Sequence, residues 1–451
     1  MERFFRALFH GKIDNFRFQL EKYRIIFDCK EKSLILLGNS TMIRQEIIDA
    51  ITEHLPDKRH SILIGARQVG KTTVIKQVAE QLLKKKERVY FLTFEDPTIL
   101  KAINTHPEKI FDFTVHPDAL AKKQRLYLLI DEVQYAENPT NFLKLLYDKY
   151  AGKVKIIATG SSAFYINRDF KDSLAGRKKI FELYTLDFDE FLQFKNGSAL
   201  ADELILMRKR STYQSLKTSK INALFNEYLS YGGYPAIVLE NNTQYKIEML
   251  RELVNSYMSK DVLEADLKDE LKFFQLARIL ASQTGELLNQ NELANTLKLS
   301  VGTIDNYMYL LKKCFHVHLL APKFTNVRKE LTKMPKVYFN DLGLRNVLCQ
   351  QFDNIDIRMD KGQLIENYVF TRLRKLYGTD SIKFWRTADG NEVDFIVEKK
   401  LDEGLAYEVK FSESQFKKSK YKKFEEAYKK FPLRPIVYNG ENPDNINLIR
   451  L

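Results

Sequence analysis

Gly65-Ala-Arg-Gln-Val-Gly-Lys-Thr-Thr73 decides the reading of this chain. The string fits G-x-x-x-x-G-K-[ST] without a gap. Upstream, Ile62-Leu63-Ile64 is an apolar run of the kind a buried strand shows, and downstream Val74-Ile75-Lys76-Gln77-Val78-Ala79 reads as a helix. Strand, glycine-rich turn and helix in that order are what phosphate binding needs. The turn lets successive backbone N–H groups wrap an anion, and the helix directs the positive end of its dipole at it. The expected nucleotide-binding residues are Gly65, Ala66, Arg67, Gln68, Val69, Gly70, Lys71, Thr72 and Thr73. Lys71 would reach the outer phosphates, and the Thr72 hydroxyl would hold Mg2+.

A second signal lies downstream. Leu126-Tyr-Leu-Leu-Ile130 is fully apolar and ends in Asp131-Glu132. A buried parallel strand reads as a continuous apolar run, and ligands of open α/β sheets sit at the carboxyl ends of the strands. Asp131 is therefore the expected magnesium ligand and Glu132 the general base that polarises the attacking water. Lys155–Thr159 is a further apolar strand, followed by Gly160-Ser161-Ser162. A polar group at its tip would orient the water against the γ-phosphate; Ser161 is the preferred residue, with Thr159 and Ser162 as alternatives. Arg177, in Leu174-Ala-Gly-Arg177, would reach a γ-phosphate, its own or that of a neighbouring subunit.

Expected strands at Ser61–Ile64, Val89–Phe94, Leu126–Ile130, Lys155–Thr159 and Lys179–Glu182 alternate with helical patterns. That alternation predicts an α/β fold with a parallel, three-layer sheet. The length of 451 residues suggests about three domains at ~150 residues each. A finer division follows from the patterning: a helical segment over 1–40, the nucleotide core over 41–189, a charged helical lid over 190–274, a winged helix over 275–350 and a tail over 351–451. In the winged helix, Ser300 caps a third helix whose apolar face is Val301, Ile304, Met308 and Leu311. The outward face of that helix, with Thr303, Asp305, Asn306, Tyr309 and Lys313, is polar rather than basic. A DNA-reading role and a docking role both suit it.

The tail carries its own constellation. Lys361–Tyr377 reads as a helix with Glu366 on the apolar face of Val369, Phe370 and Leu373, and a carboxylate in such a place needs a partner. Asp394 lies on a strand, and fourteen residues later Glu408 and Lys410 share one face of the next strand. A helix glutamate, a strand aspartate and E-x-K on the adjacent strand form the PD-(D/E)xK nuclease pattern. Asp394, Glu408 and Glu366 would hold Mg2+ or Mn2+, which lowers the pKa of a bound water. Lys410 would position that water or steady the developing charge. Lys417, Lys418, Lys420, Lys422 and Lys423 follow, and they suit either a phosphate backbone or a solvated helix face.

Taken together, GARQVGKTT, LLIDEVQ, IIATGSSA, SLAGR, SYGGYPAIVL, SKDV, PKVYFNDLGLRN and NEVDFIV…YEVK span about Phe16 to Val437. In these strings the chain resembles the prokaryotic AAA-type ATPases that carry a C-terminal domain of unknown function. The resemblance implies a RecA-like core that binds ATP and Mg2+, a helical lid, a winged helix and a nuclease-like tail. It also makes a homo-oligomer an expectation, since AAA-type relatives often form rings.

Composition is consistent with this but decides little. The net charge of 72 − 59 = +13 favours a polyanionic partner such as DNA. Three cysteines, far apart and without a CxxC, point to a reducing cytoplasm and to no cysteine-based metal site. His316 and His318 alternate on an expected strand and read as structural. No run approaches the ~18 apolar residues of a membrane span, so no membrane partner is expected. Two functions follow: an ATPase that acts on DNA through the winged helix and the tail, or a nucleotide-driven switch that docks a protein partner and has no nuclease activity. A third, an ATPase that binds but scarcely turns over, is disfavoured by Glu132.

Overall fold

The structure is a computed structural model that describes residues 44–160, 174–210, 213, 215–265, 267–324, 330, 333–400, 402–440, 442 and 445–451. The expected helical segment over 1–40, and with it Ser161 and Ser162, lies outside the described residues. The chain divides into two compact units, one comprising the chain up to Gly65 with Gly70–Leu183, the other Ala66–Val69 with Tyr184–Leu451.

The first unit is built on five strands: β1 His60–Gly65, β2 Arg88–Thr93, β3 Leu126–Asp131, β4 Val154–Gly160 and β5 Lys178–Leu183. All are parallel, in the order β2-β3-β4-β1-β5. Every residue of β1, β3 and β4 is buried, which is why Ile62–Ile64, Leu126–Ile130 and Ile156–Ala158 read as apolar runs. Leu63, Leu128, Leu129, Ile130, Ile156 and Ile157 are fully buried, each worth roughly 1.5–3 kcal/mol over an exposed side chain. Because the strands run the same way, Gly65, Asp131 and Thr159 at their carboxyl ends arrive at one edge of the sheet. Asp96, at the end of β2, caps the helix Pro97–Thr105 by accepting from the Thr98 and Ile99 N–H groups.

The second unit begins with helices Phe188–Asn196, Ser198–Lys209, Thr218–Tyr231, Pro235–Leu239 and Thr243–Glu264. Helices Glu270–Ser282, Gln290–Leu297 and Val301–Lys313 follow, then the antiparallel pair β6 Val317–Leu320 and β7 Lys336–Phe339. Ser300 caps the third of these helices through the Thr303 N–H, and Ile304, Met308 and Leu311 face inward. After helix Leu342–Cys349 comes helix Lys361–Tyr377, which packs on a mixed sheet of β8 Ile382–Arg386, β9 Glu392–Lys400, β10 Glu403–Lys410, β11 Leu433–Val437 and β12 Ile446–Asn447. The segments expected as lid, winged helix and tail share one core: Phe188, Phe225, Tyr228, Tyr338, Tyr368, Phe370 and Phe395 belong to a single buried cluster.

Two sequence strings that look unrelated close this unit. The Gly233 N–H donates to the Asp341 carboxylate at 2.8 Å, and Asp341 also caps the next helix through the Leu344 N–H. A Cβ on Gly232 would sit 2.3 Å from Asp341 Oδ1, and Gly232 has φ +72°, so glycine is required there on both counts.

Candidate functional site

The site in the first unit starts from the glycine-bounded turn. A Cβ on Gly65 would meet the Leu183 carbonyl oxygen at 2.1 Å, so only glycine ends β1 here. Gly70 has φ +96° and is the N-cap of the helix Lys71–Lys84; it brings no side chain to that helix N-terminus. A helix that opens this way directs its dipole at whatever anion replaces the missing cap. Lys71 is buried, and its ammonium donates to the Gly65 carbonyl at 3.1 Å.

Asp131 is the hub. The Thr72 hydroxyl donates to its Oδ2 at 2.8 Å, and the Thr159 hydroxyl donates to its Oδ1. The same Thr159 oxygen accepts the Glu132 backbone N–H at 3.0 Å. Glu132 sits at φ +56°, in the left-handed region, so the chain turns sharply after Asp131; the Gln134 amide donates to its carboxylate. Burial lifts the Asp131 carboxyl above its usual value, and the Thr159 and Thr72 hydroxyls pull it back. A buried carboxylate satisfied by two neutral hydroxyls keeps its charge available to a cation. Thr72 and Asp131 thus fit Mg2+, and the adjoining uncapped helix fits the phosphates it would accompany. Thr73 is exposed, so of the two threonines Thr72 alone is turned to Asp131.

At the tip of β4, Thr159 bonds Asp131 and Glu132, while Ser161, the residue preferred from sequence, lies outside the described residues. The pattern signal of Thr159 was visible, a polar residue ending an apolar strand. Arg177 departs from expectation. It precedes β5, and the Arg177 carbonyl accepts from the His60 N–H at the start of β1. It therefore lies at the amino-terminal edge of the sheet, while Gly65 ends β1 at the other; a six-residue strand separates them by roughly 17–20 Å. Its guanidinium is bidentate on Asp148, at 2.7 and 3.2 Å. A role at its own nucleotide is excluded by that distance. Within the second unit, Arg67 is paired with Glu264 at 2.5 Å and lies 3.6 Å from Asp261, while Ala66 and Val69 are buried and Gln68 is exposed.

The second constellation lies wholly within the second unit. Asp394 on β9 and Glu408 on β10 are neighbours: the Val409 N–H donates to Asp394 Oδ2 at 2.8 Å, and the Asp394 N–H lies 3.4 Å from Glu408 Oε2. Burial first, then the charge of Asp394, pushes the Glu408 carboxyl up; the Lys410 ammonium, bonded to Glu408, pulls it down. Burial works against the Lys410 charge, but Asp394 and Glu408 hold it above its usual value. Sequence reasoning missed three residues here. Lys336 on β7 pairs with Glu392 at 2.5 Å and Glu366 at 3.2 Å, and the Tyr338 hydroxyl donates to Glu366 at 2.6 Å. Glu392 was within reach of the pattern, since it shares a strand face with Asp394.

Among the described residues, one trio of histidine, cysteine and acidic side chains brings its ligand atoms within 4.8 Å of one another: Asp261, Cys314 and His316. Cysteine spacing alone did not foresee it. His318 stacks on Phe370 with ring centroids 5.1 Å apart, a packing role. Lys417, Lys418, Lys420, Lys422 and Lys423 are all exposed, the last paired with Asp389.

A parallel sheet in the order β2-β3-β4-β1-β5, with the glycine-bounded loop after β1 and the acidic pair at the end of β3, is similar to the folds of P-loop ATPases. Residues 57–192 match the AAA domain family. Residues 222–355 and 361–450 match two families described as domains of unknown function, DUF8612 and DUF4143. The chain is 26% identical over 399 residues to an uncharacterized protein of Methanocaldococcus jannaschii, covering 86% of this chain and 84% of that one. It is 25% identical over 401 residues to an uncharacterized protein of Haemophilus influenzae, covering 86% and 92%. Among solved structures, Cdc6p from Pyrobaculum aerophilum is 15% identical and covers 72% of this chain and 98% of that one; its TM-score of 0.28 is too low to bear on the reading. Among the described residues no helix is long and apolar enough to cross a membrane.

Proposed function

We propose that this protein binds and hydrolyses ATP and that turnover serves work on DNA through the segments after residue 184. The observation that carries the ATPase reading is the chain of contacts Thr72–Asp131–Thr159–Glu132 at the carboxyl edge of the sheet. Mg2+, held by Thr72 and Asp131, would supply neutralisation of phosphate charge. Lys71 would bind the outer phosphates. Glu132, anchored through its N–H to Thr159 and through its carboxylate to Gln134, would accept the proton of the attacking water. Arg177 is kept as a residue acting in a neighbouring copy's site, which makes a homo-oligomer part of the proposal.

The DNA reading draws on the net charge of +13, on the exposed lysines 417, 418, 420, 422 and 423, and on a winged-helix reading of 275–350. In the nuclease-like reading of the tail, Asp394 and Glu408 fit a divalent ion, Mg2+ or Mn2+: they are adjacent and buried, and burial, then the charge of Asp394, raises the Glu408 carboxyl. Such an ion would supply an activated water; Lys410 would hold that water in place.

A second reading, a nucleotide-driven switch that docks a protein partner, is favoured by one observation: Lys336 already pairs with Glu366 and Glu392 in the carboxylate cluster. One set of tubes separates the two. ATP hydrolysis is measured with and without single-stranded, duplex and branched DNA, and the DNA is then run on a gel after incubation with Mg2+ or Mn2+. Lys71→Ala abolishes hydrolysis. Asp394→Ala spares hydrolysis and removes cleavage. Turnover indifferent to DNA, with intact DNA and an affinity that does not fall between low and moderate salt, selects the switch.

A further inference from the structure

Lys336-Val-Tyr-Phe339 reads from sequence as a wing strand, with nothing to mark its lysine. In the fold Lys336 is only 2% exposed. Its ammonium lies 2.5 Å from Glu392 Oε1, 3.2 Å from Glu366 Oε1 and 3.9 Å from Asp394 Oδ1. Burial works against that charge, yet Glu366, Asp394 and Glu392 more than offset it. Tyr338, two residues along β7 on the same face, donates to the same Glu366 oxygen. Glu366 is hemmed in from another side as well, since a Cβ on Gly285 would come within 3.0 Å of its Oε1.

This arrangement bears on which carboxylates can hold a metal. A divalent ion bridging Glu366 and Asp394 needs oxygens at roughly 2.0–2.6 Å. The space between those two carboxylates is where the Lys336 ammonium sits, and two cations cannot share it. We infer that Lys336, contributed from the segment 222–355, is the resident cation of the Glu366–Glu392–Asp394 edge, that Glu366 is not a metal ligand, and that a divalent ion is confined to Asp394 and Glu408 and held weakly there. The inference rests on the nuclease-like reading only for that remaining edge. Its physical content is charge: an ammonium beside Asp394 repels a divalent cation bound to the same carboxylate, which in a buried setting lowers affinity tenfold or more.

The test is Mn2+ binding to the full-length, ATP-free protein, followed by the electron paramagnetic resonance signal of free Mn2+ and counted as the binding that Asp394→Asn removes. Glu366→Gln leaves that binding within twofold of wild type. Lys336→Met strengthens it at least tenfold, or creates it where wild type has none. If Lys336→Met does not fold, the charge-balanced pair Lys336→Met/Glu366→Gln takes its place with the same expected gain. A tenfold loss in Glu366→Gln overturns the inference, as does unchanged, weakened or undetectable binding once Lys336 is removed. Failure of the wider reading looks different: intact DNA on the gel with the Mn2+ results as expected removes the nuclease and leaves the lysine in place, and loss of the ATPase reading shows only in Lys71→Ala.

Discussion

Two buried aspartates on strands of this chain, Asp131 and Asp394, are partnered by different means. Asp131 is satisfied by the hydroxyls of Thr72 and Thr159. Asp394 belongs to a cluster whose counter-charges are the ammonium groups of Lys336 and Lys410. Hydroxyls are neutral and can turn a lone pair to a metal that the carboxylate also binds. Ammonium groups carry the compensating charge themselves and compete with a metal for the same oxygens. The comparison teaches that a buried carboxylate on a strand is not by itself a metal site; the charge of its partners decides what it can accept.

The comparison breaks most directly at the first site. Glu132→Gln should lower ATP hydrolysis by about 100-fold or more, while a fluorescent nucleotide still binds and stays trapped. Turnover that survives puts the base elsewhere. Next in size is the lysine of the second site. Lys336→Met leaves buried carboxylates without their counter-ion and should cost ~3–5 kcal/mol in denaturant unfolding, much of it recovered when Glu366→Gln is added. A loss under ~1 kcal/mol would mean that the ion pair is no more than a surface pair.

Smaller effects sharpen the contrast. Thr159→Val keeps the shape of β4 but takes one hydroxyl from Asp131 and one acceptor from the Glu132 N–H. It should cost ~1–3 kcal/mol and lower turnover, because Glu132 loses its anchor. Unchanged stability and rate would remove Thr159 from the site. The last prediction uses pH. His60, buried on β1 with a ring nitrogen 3.1 Å from the Leu143 carbonyl, is lowered by desolvation from 6.5 to about 3. The unfolded chain takes up a proton below pH 6.5 that the folded one refuses. Stability is therefore full above pH 6.5 and falls as the pH drops from 6.5 towards 3, at ~1.4 kcal/mol per pH unit for this residue. His60→Asn should flatten that slope; an unaltered slope assigns acid sensitivity to other groups.

Much of the first unit was readable because its signals are local. The strand, the phosphate loop and the helix occupy one continuous stretch, and the acidic pair ends the next apolar run but one. All five expected strands of the sheet are present, with ends that differ by at most one residue. Arg177 could have been placed correctly by the same logic, since a residue before a parallel strand stands at the edge opposite the phosphate loop. The tail was readable in part. The register of β9 with β10 sets Asp394 beside Glu408, as E-x-K and period two suggested, but Lys336 is thirty residues from Glu366 and on a different sheet from Glu392 and Asp394.

The amino-acid sequence by itself determined the glycine-bounded loop after β1, the acidic pair at the end of β3, the parallel α/β class and the carboxylates of the tail. Each of these is written in a window of a few residues whose backbone geometry follows from glycine, apolar runs and period. The tertiary structure alone decided that Thr159 ties Asp131 to Glu132, that Arg177 turns to Asp148, and that Lys336 enters the carboxylate cluster. Those pairings depend on which strand lies beside which and on a buried charge finding its partner across the core, and no local window of sequence records either.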